Sequence, residues 1–194
     1  MCSTSPTQAS DVPETFAGKI VAMALSWLHV REQGVNGGFN DAGFELLLKM
    51  YGWKMGYAWC MFFCKAVWCV CYRDTAHYER VVSTLNGSVM DSYRKAKLDG
   101  WKVTDAPVIG GILIFDAGNG KGHACICKSI KEVWNARTVE GNTNKAGSRE
   151  GDAVMEKLRI LNANKGKLRY VGCINPFEDN HGNNTKATTE RGAE

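Results

Sequence analysis

The spacing of hydrophobic residues changes about halfway along the chain. Up to about residue 98, apolar residues recur every three or four positions, which is the spacing of amphipathic helices. This pattern predicts helices at about 14–32, 44–51, 59–72, 75–85 and 88–98. Asn40 or Asp41 can cap the second of them. After Gly100, β-branched runs separated by glycine and turn residues replace the helical spacing. A helical half followed by a strand-rich half predicts an α+β fold.

The strand-rich half also predicts how the elements pack together. Strands are expected at about 112–115, 123–130, 133–140, 154–160 and 168–174. The connections between them are expected at 117–122, 129–132 and 142–152. Because strands joined by short turns pair in antiparallel fashion, we expect N-terminal helices packed on a C-terminal antiparallel β-sheet. Residues 1–13 and 178–194 lack large apolar runs and are expected to be disordered, which leaves 14–177 as one domain.

Composition narrows the classes of partner. With 194 residues, 44% of them hydrophobic, the chain can bury one substantial core. The net charge of +4 suits an anionic partner such as a bacterial wall, but acidic residues interrupt the basic ones, which does not favour nucleic acid. The apolar run at 20–28 follows an acidic leader and resembles neither a signal peptide nor a membrane span. We therefore expect a monomer made in the cytoplasm, without membrane insertion.

Cys60 stands at the start of the third predicted helix, directly after a turn that contains glycine. The stretch GYAWCMFFCKAVW begins at Gly56 and is apolar almost throughout, as expected of a helix buried on most sides. The first amides of a helix have no acceptor within the helix and carry the positive end of its dipole, so they stabilise a sulfur there as thiolate. A thiolate is a nucleophile, which makes Cys60 a candidate catalytic residue.

A candidate base and two candidate orienting groups follow in the strand-rich half. In the predicted strand that begins GHACIC, alternation places His123, Cys125 and Cys127 on one face. The next strand ends in TVEGN, so Glu140 and Asn142 come at the exit of a neighbouring strand. Either can hold the second ring nitrogen of His123, and we expect Glu140 to make this contact while Asn142 supports the loop. Nucleophilic acyl transfer requires such a thiol, imidazole and orienting group.

Four further residues are candidates for binding a substrate near the cysteine. Glu32 and Asn36 lie at the glycine- and asparagine-rich stretch GVNGGFNDAG, which can line a groove or simply form turns. Tyr57 and Trp59 flank Cys60 and can line a cleft or pack in the core. The loop has too few carboxylates for a calcium site. The sequence predicts neither a metal nor another cofactor.

The eight cysteines leave two alternatives to catalysis. A free cysteine behaves as a small hydrophobe, so Cys60 can be a packed core thiol. Alternatively, Cys60 and Cys64 share a helix face and could meet His123, Cys125 and Cys127 in a thiolate-rich zinc centre, although no known zinc-binding spacing is present. The spacings do not fit a secreted disulfide scaffold either, and most of the thiols are expected to be buried.

Four segments give the chain a resemblance to a known family. They are GYAWCMFFCKAVW, PVIGGILIF leading to GHACI, TVEGNTN and YVGCINP, and the resemblance covers about residues 32–176. In order and approximate separation they resemble the CHAP amidohydrolase/peptidases, which are papain-like cysteine hydrolases common in phage lysins and bacterial wall-remodelling enzymes. The chain departs from the family in the bulky Met61 and Phe62 after the cysteine and in Cys125 after the histidine. These departures bear on the shape of the pocket.

The resemblance implies a papain-like fold with Cys60 as nucleophile, His123 as general base, and Glu140 and Asn142 as orienting residues. It implies cleavage of an amide bond of bacterial peptidoglycan, by an endopeptidase or an N-acetylmuramoyl-L-alanine amidase of the phage lysin type. Such a protein would act on the cell wall after its release or as part of a virion. The alternative is a catalytically silent member of the family that binds wall or serves as a virion component.

Overall fold

The structure is a computed structural model that describes residues 15–132, 134–144, 151–162 and 168–178. Within these residues, five helices come first along the chain: α1 (Phe16–Ser26), α2 (Ala42–Met50), α3 (Cys60–Tyr72), α4 (Tyr78–Thr84) and α5 (Val89–Leu98). The leader at 1–13 lies outside the described residues, and so does the tail beyond Glu178. No helix in the described ranges has the length and apolar character that crossing a bilayer requires.

In the part of the chain that the structure describes, six strands follow the helices and form one antiparallel sheet: β1 (Val103–Thr104), β2 (Ile112–Gly118), β3 (Lys121–Glu132), β4 (Asn135–Thr143), β5 (Ala153–Ile160) and β6 (Arg169–Ile174). Their order across the sheet is β1-β6-β2-β3-β4-β5. Consecutive strands β2 to β5 are neighbours, while β6 returns to pair with β2 on its other side. The predicted α+β class and antiparallel sheet are therefore confirmed.

Local chemistry explains where several helices begin and end. Asp41 caps α2 by accepting a hydrogen bond from the backbone N–H of Phe44, and Ser88 caps α5 in the same way. The prediction that the first helix continues to residue 32 is wrong, because α1 ends at Ser26 and the chain turns at Trp27. After this turn Arg31 forms a bridge with Ala153, and the Glu32 amide donates to the Asp152 carbonyl. The early end of α1 thus brings Glu32 beside the sheet.

The sheet also differs from its predicted form at four places. The connection predicted at 117–122 is shorter, because β2 continues to Gly118 and β3 begins at Lys121. The short strand β1 was not predicted, since two residues are too few to show alternation. Strand β3 continues to Glu132, through the residues predicted to form a turn. Strand β4 continues to Thr143, so Asn142 belongs to a strand rather than to the loop that follows it. The remainder of that predicted loop lies largely outside the described residues.

Helix α3 lies at the centre of the main core. It is buried on nearly all sides and packs on α1, α4, β3 and β4. The helix-facing side of the sheet contributes residues such as Ala124, Ile126 and Val139 to this core. Alternate residues of the same strands, including Cys125 and Cys127, form a second and smaller core with few partners outside the sheet. The helices therefore cover one face of the sheet, and the start of α3 is held against β3 and β4.

Candidate active site

Cys60 is the first residue of α3, and its surroundings favour a thiolate. The preceding residue, Trp59, leaves the helical conformation and makes no capping hydrogen bond with its side chain. The first amides of the helix are therefore available to negative charge. The backbone amides of Met61 and Ala124 both interact with the Cys60 sulfur. Only 3% of the residue is exposed, so water does little to weaken these interactions.

The imidazole of His123 lies beside this sulfur and is completely buried. His123 comes near the start of β3, where it pairs with Phe115 of β2. Its Nε2 atom is 3.0 Å from Oε2 of Glu140. The Nδ1 atom makes no hydrogen bond with the described residues. Because Glu140 occupies Nε2, Nδ1 is the nitrogen left to exchange a proton with the thiol.

The contact expected between Glu140 and His123 is thus present, and the structure adds two partners to Glu140. Thr138 Oγ1 donates to Oε1 of the carboxylate at 2.6 Å. Arg159 donates to both oxygens, from Nε to Oε1 at 2.7 Å and from Nη2 to Oε2 at 2.5 Å. Glu140 is fully buried, yet each of its oxygens accepts two hydrogen bonds. A carboxylate satisfied in this way can remain charged in the interior.

The three groups shift one another's protonation equilibria. Burial raises the pKa of the Cys60 thiol, but the neighbouring His123 outweighs burial and leaves that pKa below its usual value. Burial lowers the pKa of His123, but Cys60 and Glu140 outweigh it and raise that pKa to about 9. Burial also raises the pKa of Glu140, whereas His123 and Arg159 hold it well below its usual value. All three directions favour a thiolate, an imidazolium and a carboxylate at neutral pH.

Glu32 connects the loop after α1 to the residue before the nucleophile. Its Oε2 accepts a hydrogen bond from the Trp59 indole at 2.7 Å, and its Oε1 accepts one from the Asn36 backbone N–H. The Asn36 carbonyl in turn accepts from the Gly56 amide at 2.8 Å. These contacts fix the loop at 32–38 against the turn that leads into α3. Trp59 itself is fully buried, so its ring donates a hydrogen bond to Glu32 from within the core and offers no exposed surface to a ligand.

A small cavity of about 100 Å³ opens beside these residues. Three of the predicted site residues, Glu32, Asn36 and Asn142, line it together with Gly34, Val35, Gly151 and Asp152. The side-chain oxygen of Asn36 is buried there without a hydrogen-bond partner among the described residues. Tyr57 does not line this cavity, but its side chain is 51% exposed on the turn before α3. The predicted binding residues therefore divide into a cavity group, an exposed tyrosine and a buried tryptophan.

Asn142 lies two residues after Glu140, but it does not follow the simple alternation of a strand. The pairing of β4 with β5 shifts between Glu140 and Thr143, and Asn142 adopts a φ of 55°. This left-handed conformation is tolerated better by asparagine than by most residues. Asn142 is consequently placed at the cavity, while Glu140 is hydrogen-bonded to His123.

The other cysteines are surrounded by apolar groups. Burial raises the pKa of the Cys127 thiol to about 12 and that of the Cys64 thiol well above its usual value. In the parts of the chain that the structure describes, no three His, Cys, Asp or Glu side chains are arranged to hold a metal ion. Cys125 and Cys127 belong to the second core, whereas Cys64 belongs to the main core. The zinc alternative therefore has no supporting geometry among these residues.

Met61 and Phe62, the bulky departures after the cysteine, are buried in the main core. The Phe62 ring packs so closely on Gly87 that a Cβ there would lie 2.4 Å from it. Neither residue lines the cavity at Glu32. Their size is therefore accommodated by the packing of α3.

Sequence reasoning did not identify Thr138 and Arg159. Thr138 shares a strand face with Glu140 because it lies two residues before it, which alternation could have indicated. Arg159 lies on β5 opposite Ala136, and placing it required the register between β4 and β5. A buried glutamate needs a cation, but the sequence offers many arginines and lysines from which to choose it.

Comparison with known proteins finds no match: no family model, no curated protein and no solved structure is significantly similar to this chain.

Proposed function

We propose that this protein is a CHAP-type, papain-like cysteine hydrolase that cleaves an amide bond of bacterial peptidoglycan. The observation that carries the proposal is the buried chain from Cys60 through His123 to Glu140, with Glu140 bonded to His123 at 3.0 Å. A nucleophile beside a base, with an orienting carboxylate bonded to that base, is the arrangement that activates a thiol for acyl transfer. A cysteine that only fills the core does not need them.

The proposed reaction begins when the Cys60 thiolate attacks the carbonyl carbon of the substrate amide. The backbone amide of Cys60 and a neighbouring donor stabilise the negative charge that develops on the carbonyl oxygen. His123 then gives its Nδ1 proton to the departing amine as the C–N bond breaks, which leaves a thioester on Cys60. Water, deprotonated by His123, hydrolyses the thioester and releases the carboxylate product. Glu140 keeps the imidazole oriented throughout both steps.

Three features support peptidoglycan as the substrate. The motifs at Cys60, His123 and Glu140 resemble those of wall hydrolases in order and separation. The cavity is lined by the carboxylates of Glu32 and Asp152 and by the amides of Asn36 and Asn142, which are polar groups that suit a stem peptide. The net charge of +4 suits an anionic polymer. The bond can be a peptide crosslink or the link between sugar and peptide, and the protein is proposed to act as a phage lysin or a virion component.

A catalytically silent module that binds the wall is the second candidate, and one observation favours it. Cys60 is only 3% exposed, so a peptide can reach the sulfur only if the residues over it move. A binding module would need no such access. The intact thiol, imidazole and carboxylate chain favours catalysis, because a silent protein has no use for a shifted thiol pKa.

Turbidity of purified peptidoglycan, combined with sedimentation, separates the two candidates. The wild-type protein is expected to clear the suspension, whereas Cys60→Ala and His123→Ala should bind the sedimented wall without clearing it. Binding without clearing by the wild-type protein would favour the silent module. If neither binding nor clearing occurred with walls of several chemotypes, peptidoglycan would be wrong as the substrate class.

A further inference from the structure

Arg159 donates two hydrogen bonds to the carboxylate of Glu140, which orients the candidate base His123. We propose that Arg159 is a positioning residue, which acts through Glu140 to keep that carboxylate ionised and aimed at His123. The catalytic importance of this role depends on the proposed function, but the effect on His123 does not. Nothing in the motifs at Cys60, His123 or Glu140 includes this arginine.

The geometry fixes the carboxylate in one orientation. The guanidinium of Arg159 is a planar fork whose Nε and Nη2 meet the two oxygens of Glu140 at 2.7 and 2.5 Å. Thr138 Oγ1 adds a bond to Oε1 at 2.6 Å, which leaves Oε2 to accept from His123 at 3.0 Å. With two bonds on each oxygen, rotation of the carboxylate would break several hydrogen bonds at once. The bond to His123 is therefore held by partners on two strands.

Arg159 is itself held in place. Its backbone pairs with Ala136 of β4, and its guanidinium lies 5.4 Å from the centre of the Phe115 ring. The Arg159 side chain is 17% exposed and extends from the edge strand β5, whereas the Glu140 carboxylate that it contacts is completely buried. An arginine in this position can neutralise Glu140 at a smaller cost of desolvation than a fully buried cation would incur.

Arg159 has two opposed effects on His123. Its positive charge repels a proton on the imidazole directly, so that effect lowers the pKa of His123. Its bond to Glu140 maintains the negative charge that attracts the proton, so that effect raises the pKa of His123. Among the described residues, the other ionisable groups that interact with Glu140 or His123 are the thiols of Cys60, Cys64 and Cys125. The second effect of Arg159 is the larger one.

The test compares Arg159→Gln with the wild-type protein by following the four histidines in a pH titration by NMR. Without Arg159, burial acts more strongly on Glu140, and its pKa is expected to rise. A protonated Glu140 cannot stabilise an imidazolium, so the midpoint of His123 should fall from about 9 by one unit or more. Arg137→Gln, on the exposed face of β4, is the matched control and should leave the midpoint unchanged.

The second measurement is the turnover of the Arg159 variants. On a wall substrate, Arg159→Gln is expected to lose kcat about tenfold or more with little change in KM, because only the orientation of His123 is affected. Arg159→Lys retains the charge but loses the fork, so it should keep the His123 midpoint near 9 and recover part of kcat. If the wild-type protein hydrolyses no wall, the proposed function fails while the NMR titration still decides the role of Arg159.

An unchanged or raised His123 midpoint in folded Arg159→Gln would overturn the proposal, since it would show that the arginine does not maintain the charge of Glu140. If Arg159→Gln does not fold, Arg159→Lys and Thr138→Val replace it. Thr138→Val removes one bond to Oε1 and should lower the His123 midpoint by a smaller amount than the loss of the arginine. An unshifted midpoint in Thr138→Val, or a lowered midpoint in Arg159→Lys, would equally contradict the proposal.

Discussion

Cys60 and Cys64 lie one turn apart on α3, yet their surroundings give their thiols opposite properties. His123 outweighs burial at Cys60 and lowers its pKa, while at Cys64 burial and the nearby charges of Cys60 and Glu140 raise it. The reactivity of a cysteine increases with the fraction that is thiolate. Of these two sulfurs, only that of Cys60 is therefore expected to act as a nucleophile. The difference arises because His123 sits against the start of the helix and not against its second turn.

Serine substitution should separate these two roles. Cys60→Ser is expected to abolish wall degradation with little loss of stability, because a hydroxyl is not ionised by this imidazole. Cys64→Ser should keep activity but lose about 1–3 kcal/mol of unfolding free energy, because it places a hydroxyl in an apolar position. Turbidity assays and urea denaturation measure the two effects. Full activity of Cys60→Ser would contradict the assignment of the nucleophile.

The protonation state of His123 depends on the thiolate as well as on Glu140. In the wild-type protein its midpoint is expected near pH 9, so the imidazolium persists at neutral pH and is lost as the pH rises through that value. Activity should therefore fall on the alkaline side near pH 9. Cys60→Ala removes a group that raises the pKa of His123, so its midpoint should move to lower pH in an NMR titration. An unchanged midpoint would mean that the sulfur and the imidazole do not interact.

At the scale of elements, Gly141 sets how closely β4 approaches α3. A Cβ at this position would lie 2.6 Å from the Trp59 ring and 2.8 Å from Cβ of Phe63. Glycine therefore lets the strand that carries Glu140 lie directly on the helix that carries Cys60. The separation between the two elements is set by the absence of a side chain.

Gly141→Ala is expected to lower the unfolding free energy by about 1–3 kcal/mol, because the added methyl group must displace the ring or the strand. Gly18→Ala in α1 provides a control, since its nearest neighbour would lie 3.4 Å away. That variant should gain about 0.5–1 kcal/mol from helix propensity. Denaturant unfolding of both proteins gives the comparison. Equal stability of Gly141→Ala and the wild type would show that the contact relaxes without cost.

The predicted bounds of an element are accurate where the signals that set them are local in the sequence. Helices with a cap or a clear hydrophobic face, such as those capped by Asp41 and Ser88, appear close to their predicted bounds. The first helix was predicted too long because apolar residues continue past Ser26, although they then pack in a turn and a bridge. Strand β1 depends on pairing with β6, and local sequence cannot reveal such a pairing.

In the candidate site, too, local signals identified some residues, whereas others depend on the tertiary structure. Cys60, His123 and Glu140 could be identified from order and residue type, and the structure brings them together. Arg159 could not be assigned, because its contact with Glu140 depends on the register of β5. Trp59 was a candidate for either the cleft or the core, and its flanking position could not show that Glu32 and the core would enclose its ring. Register and burial are properties of the whole sheet and core.

At the scale of the whole molecule, the chain after β6 returns to the helices, and Phe177 packs against them. The Phe177 ring stacks on His77 at 4.4 Å and lies 4.8 Å from the ring of Trp101. Its carbonyl accepts a hydrogen bond from Tyr72 Oη at 3.1 Å, and Arg80 lies over the ring. His77 is therefore half-buried in an aromatic cluster.

Phe177→Ala is expected to lower the unfolding free energy by about 2–4 kcal/mol, since it removes a ring that joins the C-terminal segment to α3 and α4. Phe177→Leu should lose less, because it keeps part of the apolar contact. The His123 titration should be unchanged in both proteins while they are folded, because the cluster lies apart from the site. Thermal unfolding and NMR test these expectations, and a stability equal to that of the wild type would show that the segment does not hold the helices.

The most direct measurement of the central claim is digestion of purified peptidoglycan in water enriched in ¹⁸O, followed by mass spectrometry of the released fragments. If Cys60 and His123 hydrolyse an amide, the wild-type protein will release fragments that share one newly cut bond. The new carboxylate will carry one ¹⁸O from the water that resolves the thioester, and Cys60→Ala will release none of these fragments. Identical labelled fragments from the wild type and Cys60→Ala, or cleavage at a glycosidic bond, would contradict the account.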